Sequence, residues 1–425
     1  FIDKWLGIVL LLITVIIGMT NETIQIKYKE FYQNAWHQPD IHANNPINNN
    51  SVFERRLMWS NSIQLISEHP LLGSGLNNWK IEQAKFGIGG NPYLNTGMER
   101  FEHPHNEYLS IASEIGLIGF FVFLVLTVFV LRWRHRHDSI ISIVQFSASK
   151  SAILAMLILC FFSYPIHREL TMMMASVHIV TLTQGRIISR NLRLKKKYLR
   201  SIGLTAVLMT ILIYTLRLRS DYFLGQGIAA QLNRKVDKAK RNYLEANTIF
   251  FPLDDKGTPL EWFYGNELFR SGDLSGACLQ LEVGRQKNPY HSRLLNDLGT
   301  VYDQRGISDS AISCYRLALK CCPGMIETKF NLTATLYNSG KLLDAYYSLS
   351  SINLPEKVDY LTKARYKQFC KVILIDIVKS DTTLYENLQL KIKQQSKVDD
   401  FVMGCFKRGE SPGDLINSIK GKTAQ

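Results

Sequence analysis

Five apolar runs, Trp5–Met19, Ile115–Leu131, Ser139–Phe162, Leu170–Ile188 and Ile202–Leu216, crowd into the first half of this 425-residue chain. Crossing the hydrocarbon core of a bilayer takes about 20 residues, with about 17 as the short limit, and flanking Arg or Lys can snorkel to extend a short helix. Ile115–Leu131 meets that length, and Ile202–Leu216 meets it with Arg217 and Arg219 as anchors. Ser139–Phe162 contains Lys150, and Leu170–Ile188 is rich in Thr, Met and Ser with His178 inside it. The rival reading makes these two buried core helices. Their place between stronger spans, with short connections, favours four spans over 115–216. The second half is charged and helical in pattern, so a mean hydropathy of -0.04 averages two unlike modules.

The formal charge of +14 is unevenly placed. Between Arg132 and Ser201 there are twelve Lys/Arg and two acids, concentrated in Arg132–Arg136 and Arg186–Arg200, directly beside apolar runs. Basic loops next to membrane segments mark the cytoplasmic side. Applied along the chain, the rule puts Lys4 inside, 21–114 outside, Arg132–Asp138 inside, Ser163–Glu169 outside, Arg186–Arg200 inside and everything after Arg217 outside. No aromatic-interleaved basic groove accompanies the charge, so no nucleic-acid partner is expected. Trp5–Met19 lacks the basic n-region and small-residue cleavage site of a signal peptide. It reads as a membrane helix over 1–20, and the chain as the C-terminal part of a longer multi-pass protein. Seven cysteines show no CxxC pair or ligand spacing, and most fall at helical core positions.

Between the first two spans the composition turns polar, with 44–50 as a breaker. Val52–Glu68 has helical spacing, with Val52, Leu57, Trp59, Ile63, Leu65 and Ile66 as its apolar face and His69-Pro70 as its end. Two Gly-rich segments follow, 70–75 and 87–92; neither has the Lys-Ser/Thr of a nucleotide-binding loop. Then come His103-Pro104-His105-Asn106-Glu107-Tyr108 and, nine residues after Asn106, Gly116-Leu117-Ile118-Gly119 opening the second span. This order sets an imidazole just outside a membrane helix, where lipid-borne substrates present their reactive ends.

Arg55-Arg56-Leu57-Met58-Trp59, Glu68 to Gly75, and His103 to Leu109 with Gly116 and Gly119 resemble the O-antigen ligase superfamily, which holds O-antigen ligases, O-antigen polymerases and protein O-oligosaccharyltransferases. The resemblance covers about residues 50–170, and the His-Asn-x9-Gly-x-x-Gly string is its most specific part. It implies a metal-independent glycosyltransferase of the bacterial inner membrane. The donor would be an undecaprenyl-pyrophosphate-linked glycan on the outer, periplasmic face, and the acceptor a lipid, glycan or protein hydroxyl. Carried over residue by residue, His105 is the essential His and Arg55 the Arg four residues before the Trp, with Arg56 its neighbouring alternative. Asn106, His103 and Glu107 complete the substrate-binding set, and no metal or cofactor is implied.

The chemistry stands on its own terms. Moving a sugar from a pyrophosphate needs a base near the acceptor hydroxyl and positive charge on the departing phosphates. Neutral imidazole, titrating near pH ~6.5, can take the proton. Guanidinium matches phosphate oxygens with a bidentate fork and keeps its charge, and the loop has no Asp-x-Asp for a metal ion. The plainer readings make His105 an interfacial or helix-capping residue, Arg55 a solvated helix residue, and Glu102 and Glu107 groups that orient the histidines. Half a metal site from His103 and His105 with His69 is a further alternative, although metal centres want three or four ligands.

Beyond Asp221 a 34-residue period appears. Leu298, Gly299, Tyr302, Ala311, Tyr315, Ala318 and Pro323 fall at the diagnostic positions of a tetratricopeptide repeat. Tyr264, Gly265, Leu268, Ala277, Leu281, Gly284 and Pro289 precede them in register, with fainter units on either side. Stacked helix pairs of this kind bind a protein partner in a curved groove. The expected fold class is therefore all-α: polytopic transmembrane helices with a large extracytoplasmic loop, followed by a tetratricopeptide-repeat α-solenoid. The divisions are a span at 1–20, the outer loop at 21–114, four spans over 115–216, repeats at 217–366, and helices with a tail at 367–425. A membrane-anchored repeat scaffold for envelope-polysaccharide assembly, without activity, is the competing function.

Overall fold

The computed structural model describes residues 51–87, 101–132, 140–183, 196–247, 250–352, 354 and 359–379. The proposed first span, the breaker at 44–50, the second Gly-rich segment from 88 on and the cores of both basic loops lie outside them. The described residues form helices and no strands. They divide into two compact units, the first ending at Thr215 and the second beginning at Leu216.

The first unit begins with α1 (Ser51–Glu68). Its buried positions are Met58, Asn61, Ser62 and Leu65, whereas Ile63 is 58% exposed. The inward face is thus rotated from the one the apolar residues suggested, because two inward positions are polar and fully bonded. Ser62 Oγ donates to the Met58 carbonyl (2.7 Å) and accepts from Trp79 Nε1 (2.8 Å). Asn61 Nδ2 donates to Gln83 Oε1 (3.3 Å) and to the Gly87 carbonyl (3.2 Å). These bonds seat the short helix α2 (Trp79–Glu82) and the 3-10 turn Gln83–Phe86 on α1.

The helix α3 (Glu107–Arg132) carries a break at Gly116, whose φ of 72° and ψ of 179° are open only to glycine. The interrupted ladder is completed from outside by the Gly-rich turn. Ser74 N donates to the Ser113 carbonyl and Gly75 N to the Glu114 carbonyl (both 2.9 Å), while Leu117 N donates to the Pro70 carbonyl (2.8 Å). The two backbones approach so closely that a Cβ on Gly116 would overlap the Leu71 carbonyl, and one on Gly73 (φ 71°) would overlap that of Glu114. The two glycine motifs are therefore halves of one backbone contact.

Next come α4 (Ile140–Leu159), a 3-10 turn at Pro165–His167 and α5 (Glu169–Thr183). The polar residues that weakened these two as spans point into protein: His178 Nδ1 is 3.2 Å from Ser149 Oγ, and Lys150 lies 4.7 Å over the Phe146 ring. The helix α6 (Lys196–Leu232) is one 37-residue element, far longer than its apolar part. Among the described residues three helices are long and apolar enough to cross a membrane: α3, α4 and the Ser201–Leu232 part of α6. The expected span Leu170–Ile188 is described only as far as Thr183, as the 15 residues of α5, and its end lies outside the described residues. Apolar side chains such as Phe121, Leu126, Val207 and Leu212 are more than half exposed, which suits lipid rather than water.

The second unit is a series of helix pairs after α7 (Val236–Ala246): α8 (Leu260–Arg270) with α9 (Leu274–Lys287), α10 (Ser292–Gln304) with α11 (Ser308–Cys321), and α12 (Ile326–Asn338) with α13 (Leu342–Ser350). The second helices begin at 274, 308 and 342, 34 apart each time. Ala277, Ala311 and Ala345, at the same position in each, have no exposed surface. A Cβ on Gly299 would come within 2.7 Å of the Tyr315 ring, so a side chain there would prise its pair apart. A last helix, α14 (Tyr360–Val378), buries Tyr366, Cys370, Ile373 and Leu374 in the core of the third pair and runs through the place where the sequence period blurs. All six described cysteines are buried thiols, and Cys405 lies outside the described residues.

Candidate functional site

The His-Asn string sits where three segments of the first unit converge. Asn106 caps α3: its Oδ1 accepts from Leu109 N (3.1 Å), satisfying one of the amides that a helix start leaves open. His105, just before the cap, has a φ of 53°, a left-handed conformation that costs a β-carbon residue about 1–2 kcal/mol. The preceding carbonyl, of Pro104, accepts from Trp59 Nε1 (3.0 Å). Trp59 and Arg55 are four residues apart on α1 and so share a face. The bond that pins the His105 turn therefore also places Arg55 beside it.

Electrostatics agree with that placement. His105 is half-buried, and its pKa is lowered from 6.5, first by desolvation and then by the charge of Arg55. The imidazole is thus neutral at pH 7, the form that can accept a proton. Arg55 is partly buried, whereas Arg56 is exposed and is not among the charges that shift His105.

The third segment is the connection between α4 and α5. Glu107, 1% exposed, turns toward it: Glu107 N donates to the Cys160 carbonyl (2.8 Å), and its Oε1 accepts from Ile166 N (2.8 Å). His167 Nδ1 lies 3.3 Å from Oε1 and 3.2 Å from Oε2, yet Oε2 receives no hydrogen bond of good geometry. The Glu107 hydrogen bond raises the pKa of His167 above 6.5. Tyr164 stacks on His103 (4.8 Å between ring centres) and meets His105 edge-on (4.9 Å), and His167 lies 4.3 Å from His103. Desolvation, and after it the charge of His167, lowers His103 to about 4.

Of the residues singled out from sequence, His103, His105, Asn106 and Glu107 lie together, with Arg55 close enough to act on His105. Glu107 is enclosed and bonded to the hairpin, and Asn106 is spent on the cap. Both hold the turn in place. His69 is exposed at the end of α1, and among the described residues no three His, Cys, Asp or Glu side chains converge as metal ligands would. Sequence reasoning missed Tyr164, His167 and Arg168. The available signal was topological, since the basic-loop pattern put 163–169 on the same side as His105.

Compared with known families, residues 2–124 match the family model described as O-Antigen ligase. The match contains Arg55, Trp59, the Gly-rich turn and the whole His105 string, and it ends inside α3. No curated protein matches the chain.

Proposed function

We propose that this chain carries the acceptor-side site of an O-antigen-ligase-type membrane glycosyltransferase, in which His105 is the general base and Arg55 contacts the donor pyrophosphate. One observation carries the reading: a neutral imidazole in a left-handed turn, at the head of a helix long enough to span a membrane, beside an arginine held on the same helix face as the tryptophan that fixes the turn. The acceptor hydroxyl oxygen attacks the anomeric carbon of the lipid-linked glycan. The bond from that carbon to the phosphate oxygen breaks, and His105 takes the hydroxyl proton. The departing pyrophosphate keeps the electron pair of the broken bond, and guanidinium stabilises that charge more in the transition state than in the ground state.

In this reading the undecaprenyl carrier, the inner-membrane location and the periplasmic face follow from the family resemblance and from the basic loops. The 34-residue helix pairs are tetratricopeptide repeats that recruit a protein partner or the acceptor. The polar groups between their first helices support that role over chemistry: Asp297 accepts from Trp262 Nε1 (2.8 Å), Asn266 (3.1 Å) and Asn296 (3.1 Å), and is occupied by structure.

The test is His105→Asn in the full-length protein. Asn tolerates the left-handed turn better than Ala, so the fold is kept while the base is lost. Transfer should fall by about 10²–10⁴-fold, with expression and membrane insertion unchanged. Near-parental transfer would put the base elsewhere and leave this turn a structural cap of α3.

A further inference from the structure

We infer that Arg168 is a second phosphate-binding guanidinium of this site, presented by the hairpin at 163–168 and directed at the same pyrophosphate that Arg55 serves. The inference rests on the glycosyltransferase reading for the identity of the anion, and on geometry outside the family match for the contact.

Tyr164 is the hub of that geometry. Its ring touches both His103 and His105, and the Arg168 guanidinium carbon lies 5.1 Å over it. Arg168 thus stands against the ring that borders the candidate base. Its charge is one of those that lower the His105 pKa, with Arg55 and burial, while Glu54 opposes them. A cation–π contact uses none of the five N–H donors of a guanidinium. Arg168 is exposed and makes no ion pair with a carboxylate among the described residues, although Glu169 follows it in sequence. The buried carboxylate of Glu107 is taken by Ile166 and His167. What remains is a guanidinium laid over one ring, whose N–H donors meet no carboxylate among the described residues.

The hairpin is also held firmly enough to position that guanidinium. Glu107 ties 160 and 166 to the start of α3, and Tyr108 Oη donates to the Leu157 carbonyl (2.8 Å). A pyrophosphate leaving group carries more charge than one guanidinium neutralises, so a second cation from a separate element suits the chemistry. The same phosphate chemistry is offered by anionic phospholipid headgroups at a membrane surface, and the experiment has to separate the two sources.

Binding of geranyl pyrophosphate is measured on full-length protein carrying His105→Asn, which removes turnover, in nanodiscs of phosphatidylcholine. Adding Arg168→Gln should weaken binding about tenfold or more, as expected for a charge-assisted contact, and Arg168→Lys should recover part of it. Tyr164→Phe should keep the affinity, and Tyr164→Leu should lose some of it. Unchanged affinity in Arg168→Gln overturns the inference. So does an effect that appears only in discs containing phosphatidylglycerol and grows with its fraction, since Arg168 would then serve a headgroup. If His105→Asn still transfers glycan while Arg168→Gln loses geranyl pyrophosphate, the base assignment falls and the anion contact stands.

Discussion

Gly116→Ala should release the Gly-rich turn from α3, whereas Gly119→Ala, three residues on in the same motif, should be much milder. At Gly116 the backbone occupies a glycine-only conformation, which costs another residue about 1–3 kcal/mol. The added methyl would also overlap the Leu71 carbonyl and sit 2.6 Å from Gly73 N, and both are backbone atoms with no rotamer to change. To clear it, the turn must withdraw and give up the bonds from Ser74, Gly75 and Leu117, each worth about 0.5–1.5 kcal/mol net. Alternatively α3 straightens, gaining about 1 kcal/mol of helix propensity and losing the same three bonds. The lost bonds weaken the local contact by about 1.5–4.5 kcal/mol by the first route and, after the propensity gain, by about 0.5–3.5 kcal/mol by the second. Gly119 is helical, and its added Cβ would meet no foreign backbone: Ile115 Cδ1 and Cγ1 (both 2.6 Å) can turn aside, and Ile115 Cβ (2.9 Å) needs a small shift, so the cost is lower than at Gly116.

Amide exchange reads this locally. In detergent-solubilised full-length protein, peptides containing Ser74 and Gly75 should exchange about 30-fold faster or more in Gly116→Ala, since ~1.4 kcal/mol corresponds to a factor of ten in the opening equilibrium. Gly119→Ala should stay within about threefold of the parent. Equal exchange in the two variants, or protection unchanged in Gly116→Ala, would refute the claim that the two glycine motifs form one backbone contact.

Transfer should depend on pH in two limbs. Because the His105 pKa lies below 6.5, the rate should hold from neutral down past pH 6.5 and fall only on further acidification; an acid midpoint at or above 6.5 sinks the neutral-base assignment. Because the His167 pKa lies above 6.5, its ion pair with Glu107 is fully present below that value and is lost as pH rises through the raised pKa, so an alkaline limb should appear and should vanish in His167→Gln. Glu107→Gln should cut the rate about tenfold, in the range of lost positioning contacts, with geranyl pyrophosphate affinity changed less than by Arg168→Gln; loss of binding alone would give Glu107 a substrate role instead. Removing 221–425 from the full-length protein should lower transfer to the natural acceptor and spare turnover on a small soluble one, and loss of both in a protein that still inserts would put the repeats in the active site. Single cysteines near Asn95 and Gly257 should label with an impermeant thiol reagent in intact spheroplasts while one near Asp138 should not, and the reverse pattern would invert the topology.

Much of the site was legible because its sequence signals act locally. The span of α1 followed from 3.6-residue spacing ended by His69-Pro70, whereas the start of α3 did not: the apolar run opens at Ile115, but the helix begins at Glu107 under the Asn106 cap. The inward face of α1 was not legible. Apolar periodicity assumes that buried positions are apolar, and Ser62 and Asn61 break that assumption by bonding to Trp79 and to the 83–87 segment, partners 17–26 residues away. Gly73 and Gly116 could each be read as punctuation; that they meet is a tertiary fact about two close backbones. Tyr164, His167 and Arg168 carried no motif, and their relevance comes from Glu107 reaching 59 and 60 residues along the chain to bond Ile166 and His167.

That bond also explains how one site can hold a neutral base among several cations. His103 and His167 lie 4.3 Å apart and His105 shares the Tyr164 ring with His103, so charging all three imidazoles would set like charges together in a partly desolvated place. Glu107 decides which one holds the proton, because its buried carboxylate faces His167 and raises that pKa. The charge so fixed on His167 helps hold His103 at about 4, and Arg55 and Arg168 depress His105 in the same way. In the proposed reaction, the cations that a departing pyrophosphate requires would be the same groups that lower the pKa of His105. One cluster can meet both demands because the buried Glu107 carboxylate is engaged by Ile166 N and His167 and is not among the charges that shift His105.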